Sequence, residues 1–154
     1  MTALRNLLST LCLVAAAAVS SAAWGADGLV SIKSPYAAHE TMTRLENLVK
    51  ERGLTVFARI DHAAGAAKIG MTLRATDVLI FGNPQGGTPL LMCAQTVGID
   101  LPLKALVWEE ASAQVWLSTN DIAFLARRHE APDCPAVASL RRALAGIAEA
   151  VTTK

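Results

Sequence analysis

The chain has 154 residues, of which 53% are hydrophobic and 18% are charged, and its formal net charge is +1. This length suits one ordinary domain, and so apolar a composition excludes wholesale disorder. The sequence has no basic stripe and no Arg-rich arm, so we expect no nucleic-acid partner.

Residues 1–26 have the layout of a secretory signal peptide. Arg5 supplies the positive charge, Leu7 to Val19 is an uncharged apolar run of 13 residues, and small residues follow it. The run is shorter than the roughly 20 residues that a membrane-spanning helix needs. We therefore expect cleavage between Ala23 and Ala26, and a periplasmic or secreted mature protein without a membrane partner. The alternative is an uncleaved N-terminal anchor.

Residues 27–154 are predicted to form a single domain with a net charge near zero, because cleavage removes Arg5 and no acidic residue. β-Rich apolar segments predict five strands: 29–33, 54–60, 76–81, 103–108 and 114–118. Apolar spacing of three and four, or a capping residue, predicts the helices: 38–52, 61–70, 89–97, 120–128 and 135–152.

The order of these elements is strand, helix, four strands, helix, with short helices inserted. This order predicts a two-layer α+β fold whose mostly antiparallel sheet carries its helices on one face. The first helix has no polar N-cap at Ala37 or Ala38, so the sequence defines its start poorly.

The segment FGNPQGGTP, residues 81–89, is a candidate ligand-binding loop through Asn83 and Gln85. Its glycines could direct backbone N–H groups toward an anion at the start of a helix. It lacks the Gly-Lys-Ser/Thr ending of a P-loop. The alternative, which we favour, is a plain turn before a helix capped by Thr88 and begun by Pro89.

Asp61 and His62 are candidate ligand-binding residues at the end of a predicted strand. A histidine beside a carboxylate suits acid–base work or metal binding. The alternative interpretation is that Asp61 caps a helix and His62 lies in its first turn, because no second ligand follows at a metal-site spacing. The isolated His129 is interpreted as a surface residue.

Two further candidates lie near the predicted hairpin. Trp108, with Trp116, could line a pocket or an interface, although core packing is the commoner use of tryptophan. The pair Asn120–Asp121 is a helix cap first and a ligand donor second. The sequence contains no catalytic triad motif, no paired carboxylates and no zinc signature, so we predict no catalytic residue, metal or cofactor.

The mature chain keeps two cysteines, Cys93 and Cys134. In an oxidising compartment they could form one disulfide. The alternative is that Cys93 is a small buried hydrophobe among Leu90, Leu91 and Met92, and that Cys134 is unrelated to it.

Four segments together resemble the domain of unknown function 302 family: TMTRLENLVKERGLTVFARIDHAAGAAKIG, VLIFGNPQGGTPLL, IDLPLKALVWEE and QVWLSTND. The resemblance covers roughly residues 29–129. It implies a strand-helix-four-strand-helix fold, similar to half of a TATA-binding-protein-like fold, and it implies that members can be homodimers. It implies no reaction.

Two function hypotheses follow. The first is a non-enzymatic periplasmic or secreted binding or interaction module that is dimeric through its sheet or a helix face. The second is a small-molecule-binding enzyme or redox-linked accessory that uses Asp61–His62 and the residue 81–89 loop. Convergence of His62, Asn83, Trp108 and Asn120 on one pocket would favour the second hypothesis, and scattering of these residues would favour the first.

Overall fold

The computed structural model describes residues 26–154, so the predicted signal peptide lies outside the described residues except for Ala26. Its strands are β1 (Leu29–Ser34), β2 (Thr55–Asp61), β3 (Thr76–Gly82), β4 (Leu103–Glu109) and β5 (Val115–Asn120). They form one sheet in the order β1-β5-β4-β3-β2, and every neighbouring pair is antiparallel.

The helices are α1 (Ala38–Glu51), α2 (His62–Ala67), α3 (Pro84–Cys93), α4 (Ile122–Arg128) and α5 (Ala136–Thr152), with a 3₁₀ turn at Gln95–Ile99. The two long helices, α1 and α5, contact each other and pack on the sheet. Helix α1 contacts β2 to β5, and α5 contacts β1 and β5. This arrangement confirms the predicted two-layer α+β fold.

The core lies between the sheet and the two long helices. Alternate residues of the central strands are buried there because successive strand side chains point to opposite faces. From α1, Met42, Leu45 and Val49 are fully buried, as their spacing of three and four predicts. The sheet contributes Leu79, Phe81, Ala105, Val107, Val115 and Leu117.

The other side of the sheet faces away from α1 and α5, and we call it the outer face. Trp108 and Trp116 are paired across β4 and β5 there, with ring centroids 6.2 Å apart and planes 16° from parallel. The Trp108 indole N–H donates to the Ser118 hydroxyl at 2.9 Å. The tryptophans therefore lie outside the core. The half-buried apolar residues of this face are Val78, Ile80 and Leu106.

Helix α3 begins five residues earlier than predicted. Asn83, not Thr88, is its N-cap: the Asn83 Oδ1 accepts the Gly86 backbone N–H at 2.8 Å. Pro84 follows at the first helical position, which suits its fixed φ and its missing N–H. The prediction of a helix from Pro89 was wrong because an equally good cap-and-proline pair stands at the end of β3.

Candidate functional site

A cavity of about 640 Å³ opens at the end of the sheet where α3 begins, and we call it the α3–α5 cavity. Its walls come from α3, from one side of α5, and from the chain that enters β2 and β4. Every residue that lines it is uncharged. The apolar side chains of its wall include Leu54, Phe57, Leu91, Leu101, Leu140, Leu144 and Ile147. The polar side chains are those of Asn83, Gln85, Thr88 and Ser139.

Local sequence explains how two elements reach this cavity. On α5, Leu140, Leu144 and Ile147 recur at spacings of four and three, so they share one face of the helix. On β2, the pairing register shifts between Val56 and Ala58. Such a bulge redirects the side chain at its centre, and Phe57 lines the cavity while remaining 57% exposed.

Two of the predicted ligand-binding residues, Asn83 and Gln85, line the α3–α5 cavity. The Gly86 N–H is taken by the Asn83 side chain, and the Gly87 N–H is bonded to the Asn83 carbonyl oxygen at 3.1 Å. These two backbone N–H groups are used in forming the start of the helix and are not free to bind an anion. The geometry therefore favours the interpretation of the loop as a structural turn.

Asp61 and His62 lie at the opposite end of β2. Thr55 pairs with Gly82 at the cavity end, whereas Asp61 pairs with Asp77. Six residues of strand place the two ends about 20 Å apart. Asp61 Oδ1 accepts the Ala64 N–H at 2.8 Å, so it caps α2, and His62 is an exposed residue of the first turn.

The remaining predicted residues are also separate from the α3–α5 cavity. Trp108 lies on the outer face. Asn120 borders a second cavity of about 410 Å³, which lies between β1 and the other side of α5. Leu144 contacts both cavities. The structure therefore scatters His62, Asn83, Trp108 and Asn120 and does not gather them at one pocket.

The structure joins Cys93 and Cys134 in a disulfide whose Cα atoms are 6.0 Å apart. Cys93 is the last residue of α3, and Cys134 lies two residues before α5. The bridge therefore ties together two elements that line the α3–α5 cavity.

His129 was predicted to be a surface residue, but its side chain is only 8% exposed. It takes part in a polar cluster that the sequence analysis missed. Its Nε2 lies 2.6 Å from Asp100 Oδ2, and its Nδ1 lies 3.0 Å from the Thr96 hydroxyl. Arg128 adds an ion pair to Asp100 at 3.2 Å. A hydroxyl, an imidazole and a carboxylate in a row are a set that acid–base chemistry uses. None of the three residues lines either cavity, so we assign them to fastening the 3₁₀ turn to α4.

Charged side chains form a second cluster between α1 and the β2 edge of the sheet. Arg59 donates to Asp77 Oδ2 from Nε at 2.8 Å and from Nη2 at 2.6 Å, and this bonding raises the pKa of Arg59. The Lys50 ammonium donates to Glu46 at 2.6 Å and, with help from Arg59, lowers the pKa of Glu46 against the opposing effect of desolvation. Among residues 26–154, no three His, Cys, Asp or Glu side chains gather as metal ligands.

These elements define a two-layer α+β domain with a five-stranded antiparallel sheet. The chain belongs to the family described as "Domain of unknown function DUF302", whose sequence model matches residues 30–151. A solved structure shares the fold: "Crystal structure of uncharacterized conserved protein DUF302 from Bacillus stearothermophilus" aligns with a TM-score of 0.73 and 21% identity. The alignment covers 82% of this chain and 99% of that one.

The chain is also similar to part of two Brucella proteins named "Fluoride-specific ion channel FluC 1". It is 48% identical over 103 residues to the one from Brucella suis biovar 1 (strain 1330), which is 67% of this chain and 41% of that protein. The protein from Brucella abortus biovar 1 (strain 9-941) matches equally well over 38% of its length. The matched part of the chain thus spans about two fifths of these curated relatives. In the part of the chain that the structure describes, none of the helices has the length and apolar character needed to cross a bilayer.

Proposed function

We propose that the mature protein is an exported, non-catalytic binding module that holds an uncharged, largely apolar small molecule in the α3–α5 cavity. The observation that carries this proposal is the apolar, uncharged lining of that cavity. The signal-peptide layout of residues 1–26 supports export.

The size and lining of the cavity fit this role. Its volume of about 640 Å³ falls within the range of small-molecule sites, roughly 300–1,000 Å³. Pockets of this kind combine apolar walls with a few polar groups that orient the ligand. Here Asn83, Gln85, Thr88 and Ser139 supply those groups, and a charged ligand would find no countercharge in the lining.

Binding of the uncharged fluorescent probe N-phenyl-1-naphthylamine tests the proposal. Ala143 lines the α3–α5 cavity, and Ala145 lines the second cavity on the other side of the same helix. We expect Ala143→Phe to weaken probe binding by about ten-fold or more, because the ring projects into the cavity and takes space from the probe, and Ala145→Phe to leave binding unchanged. Failure of the wild-type protein to bind the probe, or equal binding by both variants, would overturn the proposal.

We also propose that the protein is a homodimer through the outer face. The stacked Trp108 and Trp116 and their half-buried apolar neighbours resemble an interface more than a solvated surface, and tryptophan is enriched at interfaces.

A second candidate function comes from the Brucella relatives, whose printed names are those of fluoride channels. We propose that the domain can act as an accessory to a fluoride-channel protein as well as on its own. Deletion of the gene is expected to make cells more sensitive to added fluoride, and a plasmid copy is expected to restore growth. Unchanged fluoride tolerance would argue against this candidate.

A further inference from the structure

We propose that Cys93 is a site of thiol–disulfide exchange, at which a dithiol reductant opens the Cys93–Cys134 bridge and loosens one wall of the α3–α5 cavity. The effect on ligand binding rests on the proposed function. The exchange chemistry and the loosening of α3 do not depend on it.

The two cysteine residues of the bridge differ in exposure. Cys93 ends α3 in an exposed position, whereas Cys134 is only 7% exposed and its Sγ lies 3.8 Å from the Pro89 carbonyl oxygen. Exchange requires a thiolate to reach one sulfur of the disulfide directly. Cys93 is therefore the attacked residue, and Cys134 is the leaving thiolate.

The exchange balances in two steps. A thiolate of the reductant forms a bond to the Cys93 sulfur, the Cys93–Cys134 bond breaks, and Cys134 takes up a proton as it becomes a thiol. The second thiolate of the reductant then attacks the other sulfur of the reductant, which is bonded to Cys93 in the mixed disulfide. Cys93 leaves and is protonated, and the reductant departs as a cyclic disulfide that has lost two electrons.

Opening the bridge changes the cavity because α3 is held against α5 at both ends. Near its start, Gly86 lies against α5, where a β-carbon would meet Leu140 Cδ2 at 3.5 Å, an ordinary contact distance. At its end, the disulfide holds Cys93 to the segment before α5. Leu91, a wall residue, lies in the turn next to that second attachment.

Reduction should loosen this helix end without unfolding the domain. The His129 contacts with Asp100 and Thr96, and the Arg128–Asp100 ion pair, still fasten the chain after α3 to the end of α4. The freed part is then the last turn of α3, between Leu90, which is fully buried in the core, and Thr96.

Peptide mapping of trapped mixed disulfides tests which sulfur is attacked. The mature protein is treated briefly with glutathione, whose single thiol cannot resolve the mixed disulfide within the same molecule, and free thiols are then alkylated with N-ethylmaleimide. We expect the glutathione adduct on Cys93 to exceed that on Cys134 by about ten-fold. Equal adducts, or a majority on Cys134, would overturn the assignment whether or not the cavity binds a ligand.

Hydrogen exchange tests the loosening. In the reduced and alkylated protein we expect the amides of residues 91–94 to exchange hydrogen about ten-fold faster than in the oxidised protein, and N-phenyl-1-naphthylamine to bind about five-fold more weakly. Met92→Ser changes an exposed side chain on the same turn and keeps the bridge, so it is expected to exchange like the wild type.

If reduction leaves hydrogen exchange of the α3 amides unchanged, or if Met92→Ser speeds it equally, the proposed loosening of α3 is wrong. Faster exchange with unchanged probe affinity would overturn the link to binding. If the oxidised protein binds no probe, the proposed function fails, and the exchange rates still decide whether the bridge restrains α3.

Discussion

Asn83 joins the end of β3 to the start of α3 through one side-chain hydrogen bond, to the Gly86 N–H. Removing that acceptor in Asn83→Ala is expected to lower the free energy of unfolding by about 1 kcal/mol. Asn83→Asp keeps an oxygen at the same position and should lose much less. Urea unfolding of the three proteins measures the difference, and equal losses in both variants would contradict the capping role.

Glu46 gives a pH-dependent prediction. Its pKa is lowered in the folded state, first by the Lys50 hydrogen bond. Its stabilising contribution is therefore present above the unfolded carboxyl pKa of about 4.3 and is lost as the pH falls through the lower folded-state pKa. We expect Glu46→Gln to cost about 0.5 kcal/mol near neutral pH, as partly exposed pairs do.

Urea unfolding of Glu46→Gln and wild type at neutral pH and near pH 2 measures this difference. It should vanish at the lower pH, where the wild-type carboxyl is protonated. It should also shrink in about 1 M salt, because salt screens exposed charges. A difference that persists at low pH would show that packing, not charge, is responsible.

For individual residues, the sequence could predict only the contacts between residues that are close together in the chain. Asp61 bonds to Ala64, and Asp121 bonds to Ala123, so both caps could be inferred from local spacing. His129 could not, because its partner Asp100 is 29 residues away and only folding brings them together. Its polar neighbours in sequence suggested a surface residue, whereas the 3₁₀ turn covers it.

Among the elements, the tie between α3 and α5 has the largest expected effect on stability. The bridge joins residues 41 apart, and in the chain-entropy model such a cross-link contributes about 4 kcal/mol. We expect the double variant Cys93→Ser, Cys134→Ser to lose about that much stability in urea unfolding. Met92→Ser is the matched control. A loss below about 1 kcal/mol would mean that the bridge does not constrain the unfolded chain as this model requires.

The strands were easier to predict than the helices. Each predicted strand lies within two residues of the observed one at both ends, because runs of β-branched and apolar residues are bounded by glycine, proline or charged turns. The start of α3 was missed because Asn83–Pro84 and Thr88–Pro89 are equivalent local signals, and the fold uses the pair at the end of β3. The apolar spacing in α5 predicted a helix that packs on the core. It did not predict that Leu140, Leu144 and Ile147 also line a cavity.

For the whole molecule, the export proposal predicts a defined N-terminus. Protein recovered from the periplasm or the medium should begin between Trp24 and Asp27, because small residues end the apolar run there. N-terminal sequencing measures it. Recovery of chains that begin at Met1 from the membrane fraction would contradict export by cleavage.

The homodimer proposal predicts that a charge on the outer face separates the subunits. Leu106→Lys buries an unpaired ammonium in the proposed interface and should convert a dimer into a monomer in light scattering at micromolar concentration. Ala150→Lys adds the same charge at an exposed position on α5 and should stay dimeric. A monomeric wild-type protein, or a dimeric Leu106→Lys variant, would contradict the proposal.

The strand order also governs how the chain folds. The first strand, β1, pairs with the last, β5, so that Ser31 and Ser118 share a hydrogen bond across 87 residues of sequence. The β4–β5 hairpin needs only a short loop and can form early, whereas β1 must wait until nearly the whole chain is available. We therefore expect β1 to dock late in folding. Substitutions in β1 should consequently act mainly on the unfolding rate. During synthesis, which proceeds from the N-terminus, β1 stays unpaired until β5 has emerged as far as residue 120.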